Sequence, residues 1–405
     1  MTSRPALFTI GFLVLLGIVL NSPMLFLLSI LLVLVAGASA VWERYCLAGV
    51  TYVRRFGAQR LFCGEETDLW VEIVNAKPLP LAWLKTEDEF PNELTIHKAK
   101  HKPSGQPHRR LLTNLLSVRW YERVRRHYRM TADRRGVFDF GPAAVSSGDI
   151  FGFRTRRQEI DHRHTVLVYP KVAPMDRLDL RAARPRGDFG AQRRIADDPL
   201  RLAGTREYQP GDSVRHIHWK ATARRGSLQT KHFDPSAAHQ LVICLNNQTL
   251  ERAYGGVLVD ELETAIVVAA SIAHAALEAR HPVGMVSNGT LRHTEGLAKL
   301  PASRRSDQAA HILELLAQIT YFTATPFEQL LRAEASQFPY GATLIVVTTF
   351  VTEAILTELL TLRSAGHPVA IVIVAPKQSA SNIPVELPAY YLTRNWTDLE
   401  TLKLG

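Results

Sequence analysis

At 405 residues, 46% hydrophobic and 21% charged, the chain is long enough for two or three domains with their own cores, and wholesale disorder is excluded. Its 24 glycines and 22 prolines exclude collagen-like and low-complexity architectures, and the three cysteines (Cys46, Cys63, Cys244) have no CxxC spacing, so neither a zinc site nor a disulfide framework is expected. The net charge of +10 suits either nucleic acid or an anionic membrane face, and composition alone does not choose between them.

Residues Pro5 to Trp42 carry no charged side chain. As one helix this run would be about 57 Å long, almost twice a hydrocarbon core of about 30 Å. Asn21-Ser22-Pro23 interrupts it, because proline removes a backbone donor and the tripeptide favours a turn. Two segments are expected, about 5–20 and 24–42, forming a transmembrane helical hairpin. The first is short for a full span, which leaves a re-entrant segment open. Arg4 flanks one end and Arg44, Arg54 and Arg55 the other, so both ends are expected on the cytoplasmic side of an inner membrane. Ala38-Ser39-Ala40 resembles a signal-peptide cleavage site, but the apolar stretch is far longer than a signal h-region.

Residues 45–175 read as β. Leu69 to Asn75, Val118 to Met130, Arg135 to Pro142 and Val166 to Pro170 are strand-like runs separated by turn signals, which suggests an antiparallel β-sandwich-like domain. Residues 65–93 hold eight acids against two lysines, and residues 97–135 hold twelve Lys and Arg against two acids. Solvated strand faces, a mobile loop around Lys100 to Arg110, or proximity to lipid headgroups account for this better than a nucleic-acid site, since no nucleic-acid motif is present. Residues 176–239 form a linker followed by a sharply patterned segment.

From residue 240 to 405 the chain alternates helices and apolar strands. The expected strands are Leu241 to Leu245, Val283 to Ser287, Thr343 to Thr349 and Val369 to Val374. The expected helices are Glu261 to Arg280 with Asp260 as N-cap, Ser306 to Thr320, Phe327 to Phe338, and Thr352 to Ala365 ended by Gly366. This predicts an α/β domain with a parallel sheet that binds ligands at the carboxyl ends of its strands. Those ends present Asn246-Asn247-Gln248, Ser287-Asn288 and Thr348-Thr349.

The patterned segment runs from Gly204 to Arg224. Pro210-Gly211 makes a turn, Asp212 is placed to cap a short helix, and Arg206, Arg215 and Arg224 are suited to bidentate pairs with Glu207 or Asp212. Ile217 and Trp219 are expected to anchor it in apolar surface. His216 and His218 alternate with Ile217, so on a strand both face one side; with Asp212 they imitate a metal-dependent hydrolase cluster. Structural packing and partner contact are the favoured role, ahead of anion or nucleotide sensing and of metal chemistry.

The pattern Arg-x-Tyr-x-x-Gly-Asp-x-x-Arg-x-Ile-x-Trp is filled by Arg206, Tyr208, Gly211, Asp212, Arg215, Ile217 and Trp219. Together with the hairpin, Arg135-Gly136 and Asp149-Ile150-Phe151-Gly152, it makes the chain resemble the bacterial membrane family called domain-of-unknown-function family 58. The resemblance implies a C-terminal von Willebrand factor type A-like domain and association with MoxR-type AAA ATPases in chaperone-like maturation or assembly of a protein client. That fold often carries a metal site of pattern Asp-x-Ser-x-Ser. The matching positions here are Asn246, Gln248 and Leu250: the first lacks charge, the second is longer, and the third cannot ligate. No functional metal and no cofactor are therefore expected. No G-x-x-x-x-G-K-[ST], G-x-G-x-x-G or G-x-S-x-G appears. The expectation is a membrane-anchored, non-catalytic scaffold or adaptor. The alternatives are a metal-dependent hydrolase using Asp212, His216 and His218, and an anionic-lipid or nucleic-acid binder using residues 97–135.

Overall fold

The computed structural model describes residues 4–20, 22–150, 154–175, 202–209, 217–233, 240–251, 255–292, 296–374 and 383–402. It divides into two compact units, Met1–Val168 and Tyr169–Gly405.

The first unit begins with helices α1 (Arg4–Val19) and α2 (Pro23–Tyr45). They meet closely at Gly17, where a Cβ would sit 3.4 Å from that of Leu25. With 23 residues and a mean hydropathy of 2.7 in its most apolar stretch, α2 is long and apolar enough to cross a membrane. Only 11% of that stretch is buried, unlike a helix inside a soluble core. The 16 residues of α1 span about 24 Å and fall short of the hydrocarbon thickness.

Twelve strands follow: β1 (Val50–Phe56), β2 (Arg60–Phe62), β3 (Glu66–Asn75), β4 (Leu81–Pro91), β5 (Leu94–Ile96), β6 (His101–Pro103), β7 (Arg109–Val118), β8 (Arg123–Ala132), β9 (Gly136–Phe140), β10 (Ala143–Gly148), β11 (Thr155–Ile160) and β12 (His164–Tyr169). They form antiparallel sheets of order β1-β3-β8-β5, β11-β10-β4-β7-β6 and β2-β12-β9. Alternate residues of all three sheets, among them Leu69, Val71, Phe90, Met130, Phe140 and Val166, share one apolar core. The segment expected as a loop around Lys100 to Arg110 contributes β6 and the start of β7 instead, because main-chain pairing of His101–Pro103 with Arg110–Leu112 needs no apolar pattern.

The uneven charge of the sequence is resolved by register. β3 carries acids opposite the arginines of β8, so Arg123 and Arg125 reach Glu72 at 3.1 and 3.2 Å, His127 reaches Asp68 at 2.6 Å, and Arg129 reaches Glu66 at 3.7 Å. A second charge set lies inside. The Arg54 guanidinium donates to Asp88 at 3.0 Å and to the His162 carbonyl, and the Tyr52 hydroxyl donates to Asp88 at 2.7 Å. All three side chains are buried. Burial pushes the Asp88 carboxyl up to about 6, against the opposing pulls of Arg54 and Tyr52.

The end of α2 is fastened to the sandwich. The Ser39 hydroxyl donates to Asp149 at 2.9 Å, and the other oxygen of that carboxylate accepts the Arg154 backbone N–H at 2.9 Å. Arg154 pairs with Glu43 at 3.2 Å, Arg156 donates to the Arg44 carbonyl at 2.8 Å, and Lys77 donates to the Cys46 carbonyl at 2.7 Å. Cations on the last carbonyls oppose the negative end of the helix dipole. Asp149→Ala orphans two buried donors at once, so a loss of about 2 kcal/mol in urea unfolding is expected, against about 1 kcal/mol for Ser39→Ala.

The second unit opens with residues 171–175, whose Ala173 N–H donates to Ser271 at 2.9 Å. Then come β13 (Leu202–Glu207), α3 (Trp219–Arg225) and β14 (Gln229–Phe233). The α/β part follows as β15 (Leu241–Leu245), α4 (Val259–Glu278), β16 (Val283–Leu291), β17 (Leu297–Ser303), α5 (Gln308–Gln318), β18 (Ile319–Thr323), α6 (Phe327–Glu334), β19 (Thr343–Thr348), α7 (Glu353–Ser364), β20 (Val369–Val374) and β21 (Ala389–Leu392). The sheet order is β17-β16-β15-β19-β20-β21, with β17 antiparallel and the rest parallel; β18 pairs with β16.

Continuous apolar strands are what a sheet covered on both faces demands. Leu241, Ile243 and Leu245 enter one core with α4 and α5, while Val242 and Cys244 enter a second with α6 and α7. Helix α4 starts two residues before the expected cap: Leu258 is its N-cap, and the Leu258 N–H is taken by the Thr249 hydroxyl at 2.8 Å. Gly366 follows the end of α7 at φ +101°, a conformation that suits glycine.

Candidate functional site

Two places in the second unit draw together the residues singled out in the sequence. The first is the hairpin. β13 and β14 pair antiparallel from Leu202–Phe233 to Glu207–Gln229. The Tyr208 N–H donates to the Leu228 carbonyl at 2.9 Å, and the His218 N–H donates to Gln229 at 2.8 Å. Ile217 is buried and bridges Thr230, as expected of an anchor.

Helix α3 is then folded back by its own caps. The His218 ring accepts the Ala221 N–H through Nδ1 at 3.1 Å, Gly226 ends the helix at φ +70°, and the Thr222 hydroxyl accepts the Gln229 N–H at 3.0 Å. A ring whose Nδ1 accepts a main-chain bond keeps its proton on Nε2. Gly211, Asp212, Arg215 and His216 lie outside the described residues.

Trp219 departs from the expectation of an apolar anchor: it is 67% exposed. Arg206, Lys220, Arg224 and Arg225 are exposed as well. Arg206 donates to the Glu207 main-chain carbonyl at 3.3 Å. Successive strand residues point to opposite faces, so of the two carboxylates expected to pair with it Glu207 is unsuited, and Asp212 lies outside the described residues. The result is an aromatic ring among cations on a main-chain-braced turn.

The second place is the carboxyl edge of the sheet, at the switch between β15 and β19. Asn246 follows β15 and is fully buried; its Nδ2 donates to the Thr348 hydroxyl at 3.1 Å, bridging the two strand ends. Its Oδ1 accepts the Gln248 N–H at 3.1 Å and Asn288 Nδ2 at 3.2 Å. Thr348 passes its own proton to the Phe350 carbonyl at 2.7 Å. Asn288 Oδ1 accepts the Asn247 N–H at 2.7 Å, and Asn247 Nδ2 donates to the carbonyls of Thr320 and Phe322, both at 3.1 Å. Gln248 turns its amide onto the Leu250 and Glu251 carbonyls at 2.8 and 3.2 Å.

Asn246 and Asn288 each work as donor and acceptor together, a role no carboxylate fills, while Asn247 and Gln248 donate to main chain and the Asn247 Oδ1 is buried without a partner. At the three positions matching the metal pattern, Asn246 already accepts two bonds, Gln248 presents its NH₂ to main chain, and Leu250 offers only a carbonyl. Those residues do not make a hard-cation site. Among the described residues, no group of three His, Cys, Asp or Glu is placed to hold a metal. Sequence reasoning found Asn246, Asn247, Gln248, Asn288, Thr348 and Thr349 at this edge. It missed Phe322, 76% exposed beside the Asn247 contact, because the expected helix Ser306 to Thr320 takes in Ile319 and Thr320, although Ile319–Thr323 is wholly β-branched and aromatic.

Comparison with known proteins bears on this unit. Residues 204–387 match the profile of the family described as "Protein of unknown function DUF58". A relative, "Uncharacterized protein YeaD" of Bacillus subtilis (strain 168), is 25% identical over 350 residues, covering 86% of this chain and 80% of the relative. Both similarities support the family resemblance carried by the Arg206–Arg224 motif. Among solved structures, a cohesin module of a Clostridium perfringens ATCC13124 family 33 glycoside hydrolase shares 14% identity over 30% of this chain and 95% of its own length, with a TM-score of 0.21. The CARDB domain of the PF1109 protein from Pyrococcus furiosus, in complex with di-metal ions, covers 29% of this chain and 91% of its own at 10% identity and a TM-score of 0.19. Scores this low carry no inference about this chain.

Proposed function

We propose that the protein is a membrane-anchored, non-catalytic scaffold that docks a cytoplasmic partner, a MoxR-type AAA ATPase acting in assembly or maturation of a protein client. In this reading α1 and α2 form a hairpin in the inner membrane with both ends cytoplasmic, and the second unit is a von Willebrand factor type A-like domain. The observation that carries it is Trp219, an exposed indole followed along α3 by the exposed Lys220, Arg224 and Arg225 on a turn braced by its own main chain. Trp and Arg dominate the energetics of protein interfaces, and a rigid presenting element lowers the entropy lost on docking. The amides at the sheet edge donate mainly to one another and to main chain, which favours a structural role for that edge. The sheet order, with its antiparallel third strand, supports the proposed domain type.

The test is crosslinking and detergent pull-down of the tagged full-length chain from native membranes, beside Trp219→Ala and Arg224→Ala. Both side chains are exposed, so both variants are expected to keep the parent's melting temperature. An AAA ATPase recovered with the parent and reduced at least tenfold by Trp219→Ala, a loss of about 1.4 kcal/mol or more, is the expected result. Equal recovery with both variants would remove the hairpin from the interface, and no ATPase with the parent would end the scaffold reading.

A further inference from the structure

At the foot of α2 lies a groove of about 670 Å³, within the range of about 300–1,000 Å³ typical of small-molecule sites. Its walls are Val41, Trp42 and Tyr45 of α2, Ala48 just beyond it, and Lys77 and Leu79 of the β3–β4 loop. The lining is almost wholly apolar, and Lys77 is the one charged residue among it. Burial lowers the Lys77 ammonium below the usual lysine range, a cost that a nearby anion would offset.

The groove continues a stripe on α2. Leu27, Leu31, Leu34, Ala38, Val41 and Tyr45 are spaced four and three apart, so they share one helix face, and all six are exposed. A chain lying along that face runs straight into the groove. The rim carries the residues of a membrane–water boundary. Beside the Lys77 wall, the turn 119–122 exposes Trp120 and Tyr121 at 64% and 70%. It is held there by the Tyr121 N–H on the Lys77 carbonyl at 3.3 Å and by the Asn75 amide, which bridges the Leu79 and Arg119 carbonyls at 2.9 and 2.8 Å. Arg44 and Arg119 are exposed nearby in sequence, whereas the acids of the same end are engaged: Glu43 by Arg154, and Glu122 by the Arg119 N–H. Aromatic rings with free cations are the composition of the headgroup level.

We propose that this groove is a binding site for one anionic phospholipid, its acyl chain along the α2 stripe and its phosphate at the Lys77 end. The site rests on the membrane anchoring proposed above. The experiment uses full-length protein reconstituted with vesicles of phosphatidylcholine alone or with phosphatidylglycerol. It is then re-extracted in mild detergent and weighed by native mass spectrometry. The expected result is one retained phosphatidylglycerol per chain, in preference to phosphatidylcholine. Ala48→Phe fills the groove from an exposed position and is expected to abolish retention. Lys77→Gln keeps a donor for the Cys46 carbonyl and is expected to lower the preference about fivefold. Flotation with the vesicles but equal retention of both lipids, unchanged retention by Ala48→Phe, or a dimer in place of the lipid adduct would each overturn the lipid site alone. Failure to float with either vesicle would overturn the anchoring and the site together.

Discussion

Arg54→Met is expected to destabilise the first unit by about 3 kcal/mol at pH 7, because it strands the Asp88 carboxylate in the core. The reverse substitution is expected to behave differently. The folded Asp88 carboxyl is raised to about 6 from an ordinary 3.8, so the folded state holds its proton more tightly than the unfolded chain does. Above pH 6 the ionised carboxylate opposes folding. That opposition is relieved as pH falls through about 6 and is gone below about 4, so this group's contribution to stability grows on acidification. The full swing is on the order of 3 kcal/mol. Asp88→Asn mimics the protonated acid. It is expected to be at least as stable as the parent at pH 7 and to lack the parent's relative gain between pH 6 and 4. Without Arg54 the Asp88 carboxyl is raised further, so the Arg54→Met deficit should shrink as pH falls from 7 towards about 5, where the parent carboxyl becomes neutral as well. Urea unfolding of the three proteins at pH 7, 6, 5 and 4 checks this. A parent that loses stability relative to Asp88→Asn on acidification would show that Arg54 outweighs burial.

Asn246→Asp is expected to lower the stability of the second unit by about 3 kcal/mol, or about 6–10 °C in melting temperature for a unit of this size. The substitution keeps shape and changes two things. It buries a charge whose three partners, Gln248, Asn288 and Thr348, are all neutral. It also sets a second acceptor against the Thr348 oxygen, whose proton is already on the Phe350 carbonyl. Millimolar Mg²⁺ is expected to restore nothing, since Gln248 is turned away and position 250 is leucine. Thermal melts with and without the cation decide it: a neutral Asn246→Asp, or rescue by Mg²⁺ in that variant only, would mean that the edge retains the geometry of a cation site.

Where the chain is apolar on every residue it could be read to the residue. β20 spans Val369–Val374 as expected, and β15 spans Leu241–Leu245, because a strand covered on both faces leaves no position for a polar side chain. β17 and β18 escaped notice for two reasons: β17 has a mixed composition and is set by main-chain pairing to β16, whereas β18, though wholly β-branched and aromatic, follows directly on α5 and its start falls within the expected helix. Long-range polar contacts were illegible for a different reason. Ser39 and Asp149 are 110 positions apart, and nothing near either announces the other. The same holds for Thr249, whose hydroxyl accepts the N–H of Leu258, the residue that precedes α4. At the hairpin the residue types were right and one direction was wrong. Ile217 is buried, while Trp219, two positions on, begins a helix and faces water, because the strand period that would have aligned them stops at His218.

The fastening of α2 through Ser39, Glu43, Arg44 and Cys46 leaves no hinge between that helix and the sandwich. A span set in a bilayer answers hydrophobic mismatch by changing its tilt, leaning over in a thin membrane and standing up in a thick one. A domain on a slack tether would not register that change. In the membrane-anchored arrangement proposed above, the sandwich fastened by these contacts would swing through the angle that the helix swings through, converting the thickness of the surrounding lipid into the attitude of a β-domain outside it.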